Sequence, residues 1–213
     1  HAVAVPAEEE LDRVCPVIES LAGAGVPLSI DTRRARVMAA ALDVGARLVN
    51  DVSALTFDPD SLALVAERRV PVVLMHMRGE PATMHRHTDY DCVALDVHDE
   101  LAARIAACRA AGIAAENIAI DPGLGFAKTS DQNAALLRGL SLFLGFGLPL
   151  LIGASRKGLV RAVKQTAPPE GRLPASLAAA MIALDQGAEI LRVHDVAETA
   201  QAIAVWRALR GAA

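Results

Sequence analysis

The sequence predicts an α/β fold of the (β/α)8 TIM-barrel type, and three observations carry that reading. Six short apolar runs alternate with helical patterns along the 213 residues. Parallel strands need a crossover between them, usually a helix, so this alternation implies a parallel sheet. Every run also ends abruptly in polar or charged residues. A doubly wound sheet would gather such residues near one switch point, whereas a closed barrel brings all its strand tips to one mouth. Finally, 53% hydrophobic content suits one domain with a large core, and aromatics at 3% make that core aliphatic.

The elements follow in order. Residues 8–24 read as a helix: Glu8, Glu9 and Glu10 suit its positive end, and Leu11, Val14, Ile18 and Leu21 form one stripe. Pro16 should kink or break it, and Gly23 and Gly25 stop it. Val26 to Ile30 is the first strand, tipped by Asp31 and Thr32, and a helix follows over about 33–44. Leu48 and Val49 end in Asn50 and Asp51, after which Asp58 and Pro59 open a helix. The third strand, Val70 to Met75, ends in His76. A polar loop, Met77 to Tyr90, leads to a long helix over 91–111 with Val93, Val97, Leu101, Ile105 and Cys108 on one side. The fourth strand, Ile118 to Ile120, stops at Asp121. There Pro122-Gly123-x-Gly125 is a tight turn, because proline fixes φ and glycine permits positive φ. A helix over 130–139 precedes the fifth strand, Leu148 to Gly153, which leads to Ser155, Arg156 and Lys157. A helix over 173–187, a sixth strand over 189–193 ending in His194 and Asp195, and a last helix complete the chain. Six units are two short of eight, so the first two strands are expected before residue 1. That leaves one domain, 1–213, incomplete at its N-terminal side.

Several function classes are excluded on composition. A net charge of −4, with no Lys/Arg cluster alternating with aromatics, argues against nucleic acid. No apolar run approaches the roughly 18 residues of a membrane span, and no signal-peptide pattern opens the chain. Cys15, Cys92 and Cys108 share no CxxC spacing, which suits buried thiols in a reducing cytosol, so a cytoplasmic location is expected.

Gathered at one rim, the tips are Asp31, Asn50, Asp51, His76, Asp121, Ser155, Arg156, Lys157, Arg192 and His194. Asp31, Asn50 and Asp121 can accept and donate along the edge of a flat, nitrogen-rich heterocycle, since a carboxylate takes two N–H bonds and an amide completes the pattern. Arg156, Lys157, Arg192 and His194 make the opposite wall cationic, where barrels usually bind phosphate. Helix capping explains Asp31, Asn50-Asp51 or Asp195 singly, but not all six tips together. His85-x-His87 with Asp89 and Asp91 resembles a metal-ligand cluster, yet it lies in a loop away from the tips. Met75 beside a tip could touch a flat ligand, although packing explains it as well.

These motifs resemble the dihydropteroate synthase family from about residue 7 to residue 210. The fingerprints are Ser29-Ile-Asp-Thr32, Asn50-Asp-Val-Ser53, Val72-Val-Leu-Met-His-Met-Arg-Gly-x-Pro81 with Thr83-Met84, Asp121-Pro-Gly-x-Gly-Phe126 with Lys128-Thr129, Ser155-Arg-Lys157 and Arg192-Val-His-Asp-Val196. The resemblance implies a (β/α)8 barrel that condenses 7,8-dihydropterin-6-ylmethyl diphosphate with 4-aminobenzoate, giving dihydropteroate and diphosphate in folate biosynthesis. It implies that Asp31, Asn50, Val52, Met75 and Asp121 hold the pterin, with Lys157 reaching it and the Arg192 guanidinium stacking on it. Arg192 and His194 would bind the diphosphate, while Phe126 and Lys157 would line the aminobenzoate channel. Lys157, Arg192 and His194 are thus the expected catalytic residues. The aniline nitrogen is the nucleophile, which agrees with the lack of a Ser/His/Asp or Cys/His arrangement. The resemblance further implies Mg2+, with its ligand before residue 1 and none in this chain, a homodimer, and a place among sulfonamide targets.

Two positions depart from the family pattern: Gly158 stands where many members have Ser, and Ala127 replaces a common Gly. Two rivals share the fold. A pterin-binding methyltetrahydrofolate methyltransferase domain would keep the pterin edge without needing the cationic wall. A non-catalytic paralogue would have lost that wall, which is intact here. An aldolase using Lys157 as a Schiff-base amine is a third reading.

Overall fold

The computed structural model describes residues 5–159 and 165–211. Acidic residues at its start and an apolar stripe make α1, Ala7–Leu21. It runs unbroken through Pro16, against the expected interruption. Pro16 and Asp12, whose carbonyl loses its helical partner, both face solvent, where water takes the place of the missing N–H. Then come β1 (Ser29–Asp31), α2 (Ala35–Asp43), β2 (Leu48–Asp51), α3 (Ser61–Arg68), β3 (Val72–Met75), α4 (Val93–Ala110) and β4 (Ile118–Asp121). They are followed by α5 (Ser130–Arg138), β5 (Leu151–Ile152), α6 (Leu173–Asp185), β6 (Ile190–Leu191) and α7 (Val196–Leu209).

All strand pairs are parallel, in the order β1-β2-β3-β4 and then β5-β6, with a bridge from Ile120 to Leu150 joining the two groups. The register sets Asp31 opposite Asn50 and Met75 opposite Asp121, so the polar tips sit level at one end. β5 is shorter than its apolar run because Pro149 has no N–H to give the ladder, though its carbonyl accepts from Ile120 N at 3.0 Å. The six strands form an arc with helices outside. Val72, Val73 and Leu74 in its middle are fully buried, whereas Ser29 and Ile190 on its two edges are exposed.

Local chemistry fixes the helices. In α4, Val93, Val97, Leu101, Ile105 and Cys108 are buried at the predicted spacing, packing over β3. Thr129 and Gln132 form a reciprocal capping box at the start of α5. Asp58 stands ahead of α3 as expected, its Oδ1 accepting from Asp60 N at 3.0 Å. Its Oδ2 also accepts from Ala35 N at 2.9 Å and so caps α2, whose own preceding residue, Arg34, has no side-chain oxygen to do so.

The turn after β4 is the tightest contact at the mouth. Gly123 has φ +73°, and a Cβ there would lie 1.9 Å from the His76 carbonyl oxygen. Only glycine lets this turn press against the end of β3. Ala127, four residues on, also has a left-handed φ of +50° while buried. Gly123→Ala should therefore destabilise the chain by about 2–4 kcal/mol, combining left-handed strain with overpacking. Urea unfolding measures this, and an unchanged midpoint would contradict the close approach.

Candidate active site

At the end of β2, Asn50 Nδ2 donates to Asp31 Oδ2 at 3.1 Å. From the far edge of the arc, just past β6, the Arg192 guanidinium donates to the same oxygen at 3.1 Å. Burial raises the Asp31 pKa, and Arg192 works against that shift. Asn50 Oδ1 is buried and has no donor among the described residues. That leaves an acceptor waiting beside a carboxylate.

Asp121 is 5% exposed. Its Oδ1 accepts from Gly123 N at 2.8 Å, and burial raises its pKa against the opposing pull of Lys157, the Gly123 N–H, Lys128 and Arg192. The point where a Cβ on Gly153 would sit lies 3.8 Å from Lys157 Nζ, 3.9 Å from Arg192 Cβ and 3.9 Å from Asp121 Oδ2. Three charged groups thus converge around a residue without a side chain. Lys157 Nζ donates to the Leu124 carbonyl and lies 4.7 Å from the Phe126 ring centroid. Burial lowers its pKa. A cavity of about 150 Å3 opens beside Lys157, Gly125, Asn133 and Gly158. A second, of about 470 Å3, is bounded by Asp31, Val52, Phe57 and Pro81. Met75 is buried at the floor, in register with Asp121.

His194 is exposed at the rim, and Ser155 orients it. The Ser155 hydroxyl accepts from His194 N at 3.2 Å and lies within hydrogen-bond distance of its Nδ1, at 3.0 Å.

Other tips turn away. The Asp51 carboxylate accepts from Ser53 N at 2.7 Å and Leu55 N at 3.1 Å, and so organises its own turn. Arg156, placed in the cationic wall by sequence, has a left-handed φ of +56° and donates through Nε to Asp195 at 3.1 Å. The cationic side of the mouth is therefore Lys157 and Arg192, with the His194 imidazole at the rim. The His76 ring is buried behind the mouth, with Nε2 at 2.9 Å from Glu100 and Nδ1 at 3.0 Å from Lys128 Nζ. His85 and His87 are exposed, and the described residues hold no group of three His, Cys, Asp or Glu side chains able to bind a metal.

Two supporting residues escaped the sequence reading. Asn133 accepts from Gly125 N at 2.6 Å and donates to the Lys128 and Thr129 carbonyls at 3.2 and 2.7 Å. Glu100 takes His76 and two nitrogens of Arg78. The available signal was a polar residue next to an inward position of a helix: Asn133 in the turn before Leu136, and Glu100 beside Leu101.

Comparison with known proteins follows this geometry. Residues 1–194 match the family described as pterin binding enzyme. The dihydropteroate synthase of Escherichia coli (strain K12) is 45% identical over 205 residues, covering 96% of this chain and 72% of the relative. The chain belongs to the dihydropteroate synthase family. Among solved structures, Xanthomonas albilineans dihydropteroate synthase with 4-aminobenzoic acid superposes with a TM-score of 0.92 at 46% identity, covering 98% of this chain and 74% of that one. The Xanthomonas albilineans enzyme in complex with 7,8-dihydropteroate gives 0.89 at 46% identity, covering 97% and 76%. The fold is accordingly the TIM barrel of dihydropteroate synthases.

Glu100 links this synthase site to pH. Its hydrogen bond from His76 and its pairing with Arg78 hold its pKa down to about 2 from 4.5. A depressed carboxyl pKa stabilises the folded state above the ordinary value and loses that contribution as pH falls. Between pH 4.5 and 2, the urea midpoint should fall more steeply for the wild-type chain than for Glu100→Gln; parallel curves would refute the assignment.

Proposed function

We propose that this chain performs the dihydropteroate synthase reaction, joining a dihydropterin diphosphate to 4-aminobenzoate. The observation that carries it is the unpartnered, buried Asn50 Oδ1 between Asp31 and the mouth. A pterin ring edge presents adjacent N–H donors, which match this acceptor and the carboxylates of Asp31 and Asp121. A corrinoid methyl carrier would use the same edge, but Lys157, Arg192 and His194 gather positive charge where a leaving diphosphate would sit.

In this reading, Asp31, Asn50 and Asp121 fix the ring, Met75 forms its floor, and Val52 flanks it. The C–O bond to the diphosphate breaks with its electron pair staying on oxygen, and the ring spreads the charge left on carbon. Arg192 and His194 donate to that oxygen anion, and their fixed positions favour the charge as it develops. The aniline nitrogen attacks the carbon, forms the C–N bond and loses one proton to solvent. Phe126 and Lys157 line the approach of the aminobenzoate from the smaller cavity. No side chain is a nucleophile. Mg2+ belongs to the proposal only as a companion of the diphosphate. None of these steps runs through it. The reading also includes a homodimer and a cytoplasmic location; among the described residues no helix is long and apolar enough to cross a membrane.

The test is diphosphate release from the pterin diphosphate, with and without 4-aminobenzoate. Release should depend on 4-aminobenzoate and drop about 100-fold or more in Arg192→Ala, the scale for losing one charge-stabilising group. Pterin binding without aminobenzoate-dependent release would favour the methyl carrier or the silent paralogue. In calorimetric titration, Asp121→Asn should weaken pterin binding by about 1–3 kcal/mol through loss of a charge-assisted contact, and unchanged affinity would sink its role.

A further inference from the structure

Behind the mouth lies a second lysine that the proposed reaction does not use. Lys128 Nζ has three acceptors: His76 Nδ1 at 3.0 Å, the Gly123 carbonyl at 3.1 Å and the Phe126 carbonyl at 3.0 Å. An ammonium has three N–H donors, so the match is complete. The neighbouring Leu124 carbonyl is held by Lys157. Two lysines thus hold three carbonyls of one turn, and Asn133 takes the Gly125 N–H. The turn in turn aims the site, because Gly123 N donates to Asp121 Oδ1.

We propose that Lys128 is a positioning residue of the pterin site: as part of a singly protonated pair with His76, it holds the turn that aims Asp121 and seats Lys157. The inference rests on the pterin reading above. It follows from counting hydrogens. With Lys128 as ammonium, His76 is neutral, accepting at Nδ1 and donating from Nε2 to Glu100 at 2.9 Å. With the proton on His76 instead, the imidazolium donates to the amine, and the amine still serves both carbonyls. Removing that one proton leaves the pair one N–H short. With the imidazole hydrogen on Nε2, three acceptors face two donors at the turn; with it on Nδ1, Nε2 faces the Glu100 carboxylate with no hydrogen between them.

The charges around the pair come from several elements. Glu100 projects from α4 and Asp121 from the end of β4. Arg78 and the Tyr90 ring lie in the loop after β3, with the ring centroid 6.0 Å from Lys128 Nζ. Lys157 stands beyond β5. Burial, together with the positive charge of Lys157, pulls Lys128 down to about 7 from 10.5, against the favourable pull of Asp121 and Glu100. Burial also lowers His76, to which Lys128 adds, so the shared proton resides mainly on the lysine and leaves as pH rises through the neutral range.

The experiment is calorimetric titration of the full chain with 6-hydroxymethyl-7,8-dihydropterin from pH 6 to 9, for wild type and Lys128→Met. Wild-type affinity should weaken as pH rises past about 7. At pH 6 the variant should bind about tenfold or more weakly, and its affinity should not follow pH. A merely structural lysine would lower the melting temperature yet leave the pH profile of binding unchanged, and that result overturns the proposal. Equal affinity of the two proteins at pH 6 overturns it as well. A wild type that does not bind the pterin at all overturns the pterin reading and this inference together. If Lys128→Met does not fold, the wild-type series decides alone: an affinity constant from pH 6 to 9 is incompatible with a titrating pair.

Discussion

A carboxylate kept out of water at the tip of β4 sets the terms for everything around it. Asp121 is buried, and an uncompensated charge there would be strongly unfavourable. Its compensation comes from one backbone N–H and from the nearby cations Lys157, Lys128 and Arg192. Each of these has a structural consequence. The N–H requires a turn tight enough that Gly123 tolerates no side chain. The lysines occupy the carbonyls that the same turn exposes. Arg192 must reach inward from the far edge of the arc. A chain with an excess of acidic residues therefore builds a mouth that is locally cationic.

Much of this was legible in the sequence because two simple periodicities agree. Apolar runs of strand length alternate with helical stripes, and polar residues fall at one end of each run. Placement at a tip, however, does not say which way a side chain turns. Asp51 and Asp121 both follow a buried strand, yet Asp51 satisfies its own turn while Asp121 faces the cations. Arg156 and Lys157 are adjacent, yet a left-handed backbone at Arg156 sends its guanidinium to Asp195 and leaves Lys157 at the mouth. Such choices depend on partners far along the chain, and no local pattern encodes them. Glu100 and Asn133 escaped for a different reason: each is a polar group on a helix whose partners lie in the loop leading into that same helix, and no spacing in the sequence marks the pairing.

In the proposed reading, the two departures noted in the sequence, Gly158 and Ala127, both fall on the side given to the aminobenzoate. Gly158 borders the smaller cavity, where the absent hydroxyl leaves space and one fewer hydrogen bond. Ala127 is buried within the glycine turn at a left-handed φ that glycine would adopt freely. The pterin edge has no such departure, and Asp31, Asn50 and Asp121 all occupy their expected strand ends. The second substrate thus meets a more individual surface than the first.

The contact between Arg192 and Asp31 spans the two edges of the arc, and both side chains are about half exposed. In the proposed reading, a ligand that engages both residues has to open this ion pair. A ligand offering only ring N–H donors would take Asp31 from Arg192 without replacing it, and one offering only an anion would take Arg192 from Asp31, leaving water to solvate the freed charge. A molecule carrying both features at the correct separation replaces one interaction with two. In the proposed reading the pair would thus act as a coincidence detector, favouring a molecule that answers both charges at once.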